Sequence, residues 1–185
     1  MIYNKKHIIG NFIYRMLYNS IKMYKLLFDS DALIKVAKAD FLDFTVNAFD
    51  VYITEEVYNE TVEQGRKRLY EDADKIKNLI DAKKIFVIKS IRYTKKAKPK
   101  RSFGMGETSV FRAYKKDYLI VTDDLSFVFY LNEESIQNIS SAHLLIALLK
   151  KGKIKKENAY HHLEKLKSLI RKEIYELIKN DMKGE

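Results

Sequence analysis

Residues 24–31, Tyr24-Lys25-Leu26-Leu27-Phe28-Asp29-Ser30-Asp31, and residues 118–124, Tyr118-Leu119-Ile120-Val121-Thr122-Asp123-Asp124, follow one plan: a short apolar run that stops on acids. A continuous apolar run of this length, bounded by charge, reads as a strand buried on both faces. Further strands are expected at 51–53, 85–88 and 135–139. Between them, helical spacing predicts helices at 32–37, 41–49, 55–64, 67–82, 107–115, 126–130 and 141–150, with a long C-terminal helix over 156–179. Thr54 is placed to cap the helix after the second strand, and Gly65 to separate the next two helices. Strands alternating with helices predict an α/β fold: an α/β/α sandwich with a mostly parallel sheet of about five strands. Ligands of such sheets lie beyond the C-terminal ends of the strands, which is where these acids fall.

Working outward, the chain has 185 residues and is 46% hydrophobic, enough for one domain with a buried core. Three parts are expected: a basic amphipathic extension over 1–23, the main domain over 24–152, and the C-terminal helix over 153–185 with an apolar stripe of Leu163, Leu166, Ile170, Ile174 and Leu177. In the first part Ile8, Ile9, Phe12, Ile13, Met16 and Leu17 recur at helical spacing among cations. That reads as a packing or dimerising helix, or an extension ahead of an internal start at Met16 or Met23, with a membrane-surface helix as the alternative. No run reaches the roughly 18 apolar residues of a spanning helix. The absence of cysteine excludes disulfides, thiolate zinc sites and cysteine nucleophiles, and suits a reducing cytoplasm. A formal net charge of +10 favours an acidic partner, nucleic acid being the commonest.

The chemistry concentrates in carboxylates. Asp29 ends the first strand, Asp123 and Asp124 end the fourth, and Glu60 and Glu107 lie on helices that follow the second strand and a basic segment. Clustered carboxylates repel one another, and a divalent ion relieves that repulsion. Oxygen donors of this kind suit the hard cations Mg²⁺ or Mn²⁺. The only histidines are His7, His143, His161 and His162, the last two read as surface residues. Asp31 is either a fifth acid or the N-cap of the helix at 32–37, the cap being preferred. Between residues 82 and 106 there are no acids. Arg92, Lys95, Lys96, Lys98, Lys100 and Arg101 in that stretch are candidate phosphate-binding residues. Tyr93 and Phe103 either stack on bases or pin the segment.

Four stretches, LLFDSDALI, ITEEVYNETV, GMGETSVFRA and LIVTDD, occur in an order that resembles the PIN domains, nucleases related in fold to FLAP-type 5′ nucleases. The resemblance covers about residues 24–150. It implies a PIN-like fold, catalytic roles for Asp29, Glu60, Glu107 and Asp124, and metal-holding roles for Asp29, Glu60, Glu107, Asp123 and Asp124, with Asp124 the main ligand at its strand end and Asp123 its helper. The stretch SSAHLLIALLKKGKI also resembles the C-terminal helical part of prokaryotic PIN proteins. The function implied is metal-dependent cleavage of single-stranded RNA, by a homodimer that serves in RNA processing or as a VapC-type toxin held by an antitoxin protein. Two alternatives remain at this level. One is a haloacid dehalogenase-like phosphatase, which LLFDSDALI mimics with Asp29 as nucleophile and Asp31 as acid. The other is an inactive PIN-like RNA-binding module.

Overall fold

The computed structural model describes residues 25–90 and 102–184. The N-terminal extension and the cations from Arg92 to Arg101, with Tyr93, lie outside the described residues.

Five parallel strands form one sheet in the order β3-β2-β1-β4-β5. They are β1 (Lys25–Phe28), β2 (Val51–Thr54), β3 (Ile85–Ile88), β4 (Tyr118–Val121) and β5 (Asn138–Ile139). Helices cover both faces, as the alternating pattern requires. The central pair, β1 and β4, is buried along nearly its whole length, which explains its uninterrupted apolar sequence. Leu26 pairs with Leu119 and Phe28 with Val121, and the ladder ends where the Asp29 N–H donates to the Val121 carbonyl at 3.0 Å. The chain builds outward from β1 to β3 and then returns to the other side of β1 as β4. The strand order therefore reverses between β1 and β4, and ligands of such sheets bind at that reversal, beyond the C-terminal ends of the strands.

Several elements depart from the expected pattern, each for a physical reason. The first helix, α1 (Ser30–Lys38), starts earlier than expected because Asp29, not Asp31, is its N-cap: the Asp29 carboxylate accepts the Ala32 N–H at 2.8 Å. Asp31 sits exposed in the first turn. After α2 (Leu42–Ala48) and β2, Thr54 caps as expected, accepting the Val57 N–H at 3.2 Å. From there α3 (Glu55–Tyr58) passes through a π-helical segment, Asn59–Glu63, into α4 (Gln64–Lys67).

Gly65 does not break the helix. The break comes at residues 68–70, where Leu69 takes a φ of 59° before α5 (Glu71–Asp81) begins. Gly65 serves packing instead, since a Cβ there would stand 2.8 Å from the Cβ of Ala73 on α5. Gly65→Ala should therefore destabilise the fold by about 1–3 kcal/mol, because neither helix can retreat cheaply. Urea unfolding monitored by circular dichroism reads this directly, and an unchanged midpoint would show that the helices are free to part.

The C-terminal part is two helices rather than one. Beyond α6 (Met105–Ala113), α7 (Leu125–Glu133) and α8 (Ser141–Lys150) lie α9 (Lys156–Leu166) and α10 (Lys172–Lys183), separated by a turn. That turn resets the helical phase: Ile170 and Ile174 of the expected stripe stay half-buried against the core, and the stripe fails at Leu177. Leu177 is exposed, while Tyr175, Ile178 and Met182 are buried in the core. His162, expected at the surface, is buried: its Nδ1–H donates to the Ala39 carbonyl at 2.8 Å and its ring packs against Phe41 and Phe44. Desolvation lowers its pKa, which keeps the ring neutral in this setting. Both helices pack on α8, which is apolar on all sides and buried from Ser141 to Leu148. No helix among the described residues is long and apolar enough to cross a membrane.

Candidate active site

The acids at the ends of β1 and β4 stand where the strand order reverses. Asp29 is only 3% exposed. Burial pushes its carboxyl up to about 7, against hydrogen bonds from the Thr122 hydroxyl and the Ala32 N–H that favour the ionised form. The charges of Asp123 and Asp31 push it in the same direction as burial. Thr122, fully buried at the end of β4, accepts the Asp124 N–H at 3.2 Å while its own proton serves Asp29. One hydroxyl thus ties the two strand ends together. Asp124 is the N-cap of α7, its Oδ1 accepting the Phe127 N–H at 2.7 Å.

Glu60 reaches the same neighbourhood from the π-helical segment. The Ser30 hydroxyl donates to its Oε2, which joins it to the residue after Asp29. A Cβ on Gly106 would stand 2.8 Å from that oxygen and 3.2 Å from Ser30 Oγ. Glycine is what lets the start of α6 approach the Glu60 carboxylate so closely. Glu107 follows immediately, and its carboxylate folds back on the helix start, where a Cβ on Gly104 would lie 2.6 Å from Oε2. The approach of α6 is fixed by a buried relay. Ser109 donates to the Gly106 carbonyl at 2.7 Å, so the 2.6 Å contact between Ser109 Oγ and Thr54 Oγ1 takes its proton from Thr54. Phe103 pins this start, its ring 5.3 Å from Phe127 and 5.2 Å from Tyr130.

Asp29, Glu60, Glu107 and Asp124 are therefore linked through Thr122, Ser30 and Gly106. Among the described residues, no group of three or more acids and histidines stands in an arrangement that could hold one ion as it is. Asp123 is more committed than its neighbour: it accepts the Ser141 N–H at 3.1 Å and the Ser141 hydroxyl at 2.5 Å, with Lys35 Nζ 3.5 Å away. Asp31 is exposed and paired with Lys35, so the acid that a dehalogenase-type mechanism needs points elsewhere.

Sequence reasoning singled out neither Lys35 nor Ser141. For Lys35 the signal was present, since Asp31 and Lys35 are spaced i,i+4 on one helix. Ser141 meets Asp123 only through the tertiary fold, and nothing local marks it.

A parallel sheet of this order, covered by helices on both faces, defines an α/β/α sandwich with acids at the reversal of strand order. A family model described as a PIN domain matches residues 25–182, and the chain belongs to the PIN-domain family. PIN domains are generally nucleases. No curated protein and no solved structure matches the chain significantly.

Proposed function

We propose that this protein is a metal-dependent endoribonuclease that hydrolyses phosphodiester bonds of single-stranded RNA. The observation that carries the reading is the linkage of Asp29, Glu60, Glu107 and Asp124 at the reversal of strand order. The chemistry of the donor set fits a hard divalent cation: every group is a carboxylate oxygen, and among the described residues the buried Asp29 carboxyl has no cation as a hydrogen-bond partner. Asp29, Glu60, Glu107 and Asp124 would hold Mg²⁺ or Mn²⁺. A bound ion supplies an activated water and neutralises charge on the phosphate.

The chain's own residues do the rest. Thr122 and Ser30 orient carboxylates through hydrogen bonds, and burial makes the Asp29 carboxyl favour its protonated form until a cation binds. The cations Arg92, Lys95, Lys96, Lys98, Lys100 and Arg101 lead into Glu107 in sequence and would bind the RNA backbone. A toxin held by an antitoxin is one biological setting that suits such a ribonuclease.

Cleavage of unstructured RNA with Mg²⁺ or Mn²⁺, abolished by EDTA, is the expected result. RNA binding without turnover would leave only a binding module. In an Asp124→Asn background that spares the substrate, Lys95, Lys96, Lys98 and Lys100 changed together to Ala should weaken RNA binding. They should also flatten its salt dependence, by about 0.7 in the log–log slope per lost phosphate contact. An unchanged slope would mean that RNA enters by another face.

A further inference from the structure

Lys35 lies one turn along α1 from Asp31, with 15% of its side chain exposed, and reaches two acids from different elements. Its ammonium donates to Asp31 at 2.5 Å and lies 3.5 Å from Asp123. Burial works against the charge, but the Asp31 hydrogen bond and the charge of Asp123 outweigh it, so the group stays a cation above its ordinary range. Asp123 in turn holds the start of α8 through both Ser141 bonds. Asp124 differs: its Oδ1 caps α7, and among the described residues its second oxygen accepts no hydrogen bond.

We propose that Lys35 is a resident countercharge for the acidic centre, with Asp123 a positioning residue that Lys35 and Ser141 hold out of the metal's coordination. This rests on the metal-centre reading above. The consequence is a trade. Six acids, Asp29, Asp31, Glu60, Glu107, Asp123 and Asp124, are carried on neighbouring strand ends and helix starts, and like charges at close range destabilise the metal-free chain. A fixed cation beside two of them, Asp31 and Asp123, relieves that repulsion from outside the proposed ligand set. The same cation repels an incoming divalent ion and so weakens its binding. An ordinary structural ion pair predicts that removing Lys35 damages everything. A countercharge predicts that metal binding improves while the metal-free protein weakens.

Lys35→Met keeps the length of the apolar stem and removes the charge. The full chain is titrated with Mn²⁺ by calorimetry and melted in EDTA and in saturating Mn²⁺. Lys35→Met should melt lower in EDTA, bind Mn²⁺ about fivefold tighter, and gain more melting temperature from Mn²⁺ than the native chain. Lys35→Arg should match the native chain on all three readouts. Asp123→Asn, which keeps the shape and an oxygen to accept the Ser141 N–H, should lose only about threefold in Mn²⁺ affinity. Asp124→Asn should lose more than about tenfold, the effect of deleting a ligand.

Unchanged or weaker Mn²⁺ binding in Lys35→Met overturns the inference. So does a loss in Asp123→Asn as large as that in Asp124→Asn, which also decides the matter if Lys35→Met fails to fold. A native chain that binds Mn²⁺ with this pattern but cuts no RNA leaves the inference standing and removes the nuclease. A native chain with no Mn²⁺ response overturns both.

Discussion

Asp29→Asn should melt higher than the native chain in EDTA at pH 8, and should cleave no RNA. The stability effect follows from burial. The carboxyl titrates at about 7 in the fold against an ordinary 3.8, so the folded state holds the proton more tightly. Below about pH 4 the carboxyl is protonated in both states and costs nothing. As pH rises towards 7 the unfolded chain ionises freely and the folded one does not, so stability falls; above 7 the penalty is complete. Asparagine removes the charge but keeps an oxygen to accept the Ala32 N–H, and it caps a helix about as well as aspartate. At ~1.4 kcal/mol per pKa unit the gross gain is a few kcal/mol, and seating the new amide N–H groups reduces it to about 2 kcal/mol. Thermal melts across pH 4–8 test this: the gain should shrink to nothing as pH falls towards 4. A lower melting temperature than the native chain at pH 8 would mean that Asp29 is stabilised by charges the fold does not reveal. Loss of cleavage follows separately, since the amide is a poor ligand for a hard cation.

Gly106→Ala separates site from scaffold in a different way. The new methyl would arrive 2.8 Å from Glu60 Oε2 and 3.2 Å from Ser30 Oγ. The carboxylate is the far end of a flexible side chain and gives way, so the fold should survive. Replacing glycine by alanine in a helix even favours it by up to about 1 kcal/mol. The displaced Glu60 carboxylate would then lose the Ser30 hydrogen bond and its aim. Displacements of about 1 Å cost on the order of 100-fold in rate, so kcat should fall by that order with the melting temperature level or higher. Full activity in Gly106→Ala would show that Glu60 does not act from the place where the fold holds it.

What could be read in the sequence depended on how local each determinant was. The strands β1 and β4 were legible because burial on both faces leaves no alternation to misjudge, and the acids that end them stand out against apolar runs. Thr54 was legible because capping acts over three residues. The boundary of α1 was misplaced by choosing between two aspartates two residues apart; either can cap, and the ladder to Val121 decides for Asp29. Gly65 was misread because a glycine that permits helix contact looks, in one dimension, like a glycine that ends a helix. The break before α10 carries no proline or glycine, so a 3.6-residue period ran through it onto the wrong face. The ties from Ser30 to Glu60 and from Lys35 to Asp123 were invisible for a plainer reason: their partners lie far apart in the chain, and only the sheet order brings them together.

The π-helical segment at Asn59–Glu63 has a bearing on how this chain is compared with others. Val57 and Val62 are both fully buried, although a regular α-helix would set residues five apart at about 140° to each other. The widened turn therefore accommodates one residue more than an unbroken helix with the same two ends. A homologue with a regular helix here would be one residue shorter between the second strand and the contact with Ala73. Gapless superposition would then set its glutamate against Asn59 or Thr61, and the acid would be scored as missing in a protein that has it. Aligning on the Ser30 hydroxyl and the Gly106 backbone, rather than on the count of residues after Thr54, recovers the equivalence.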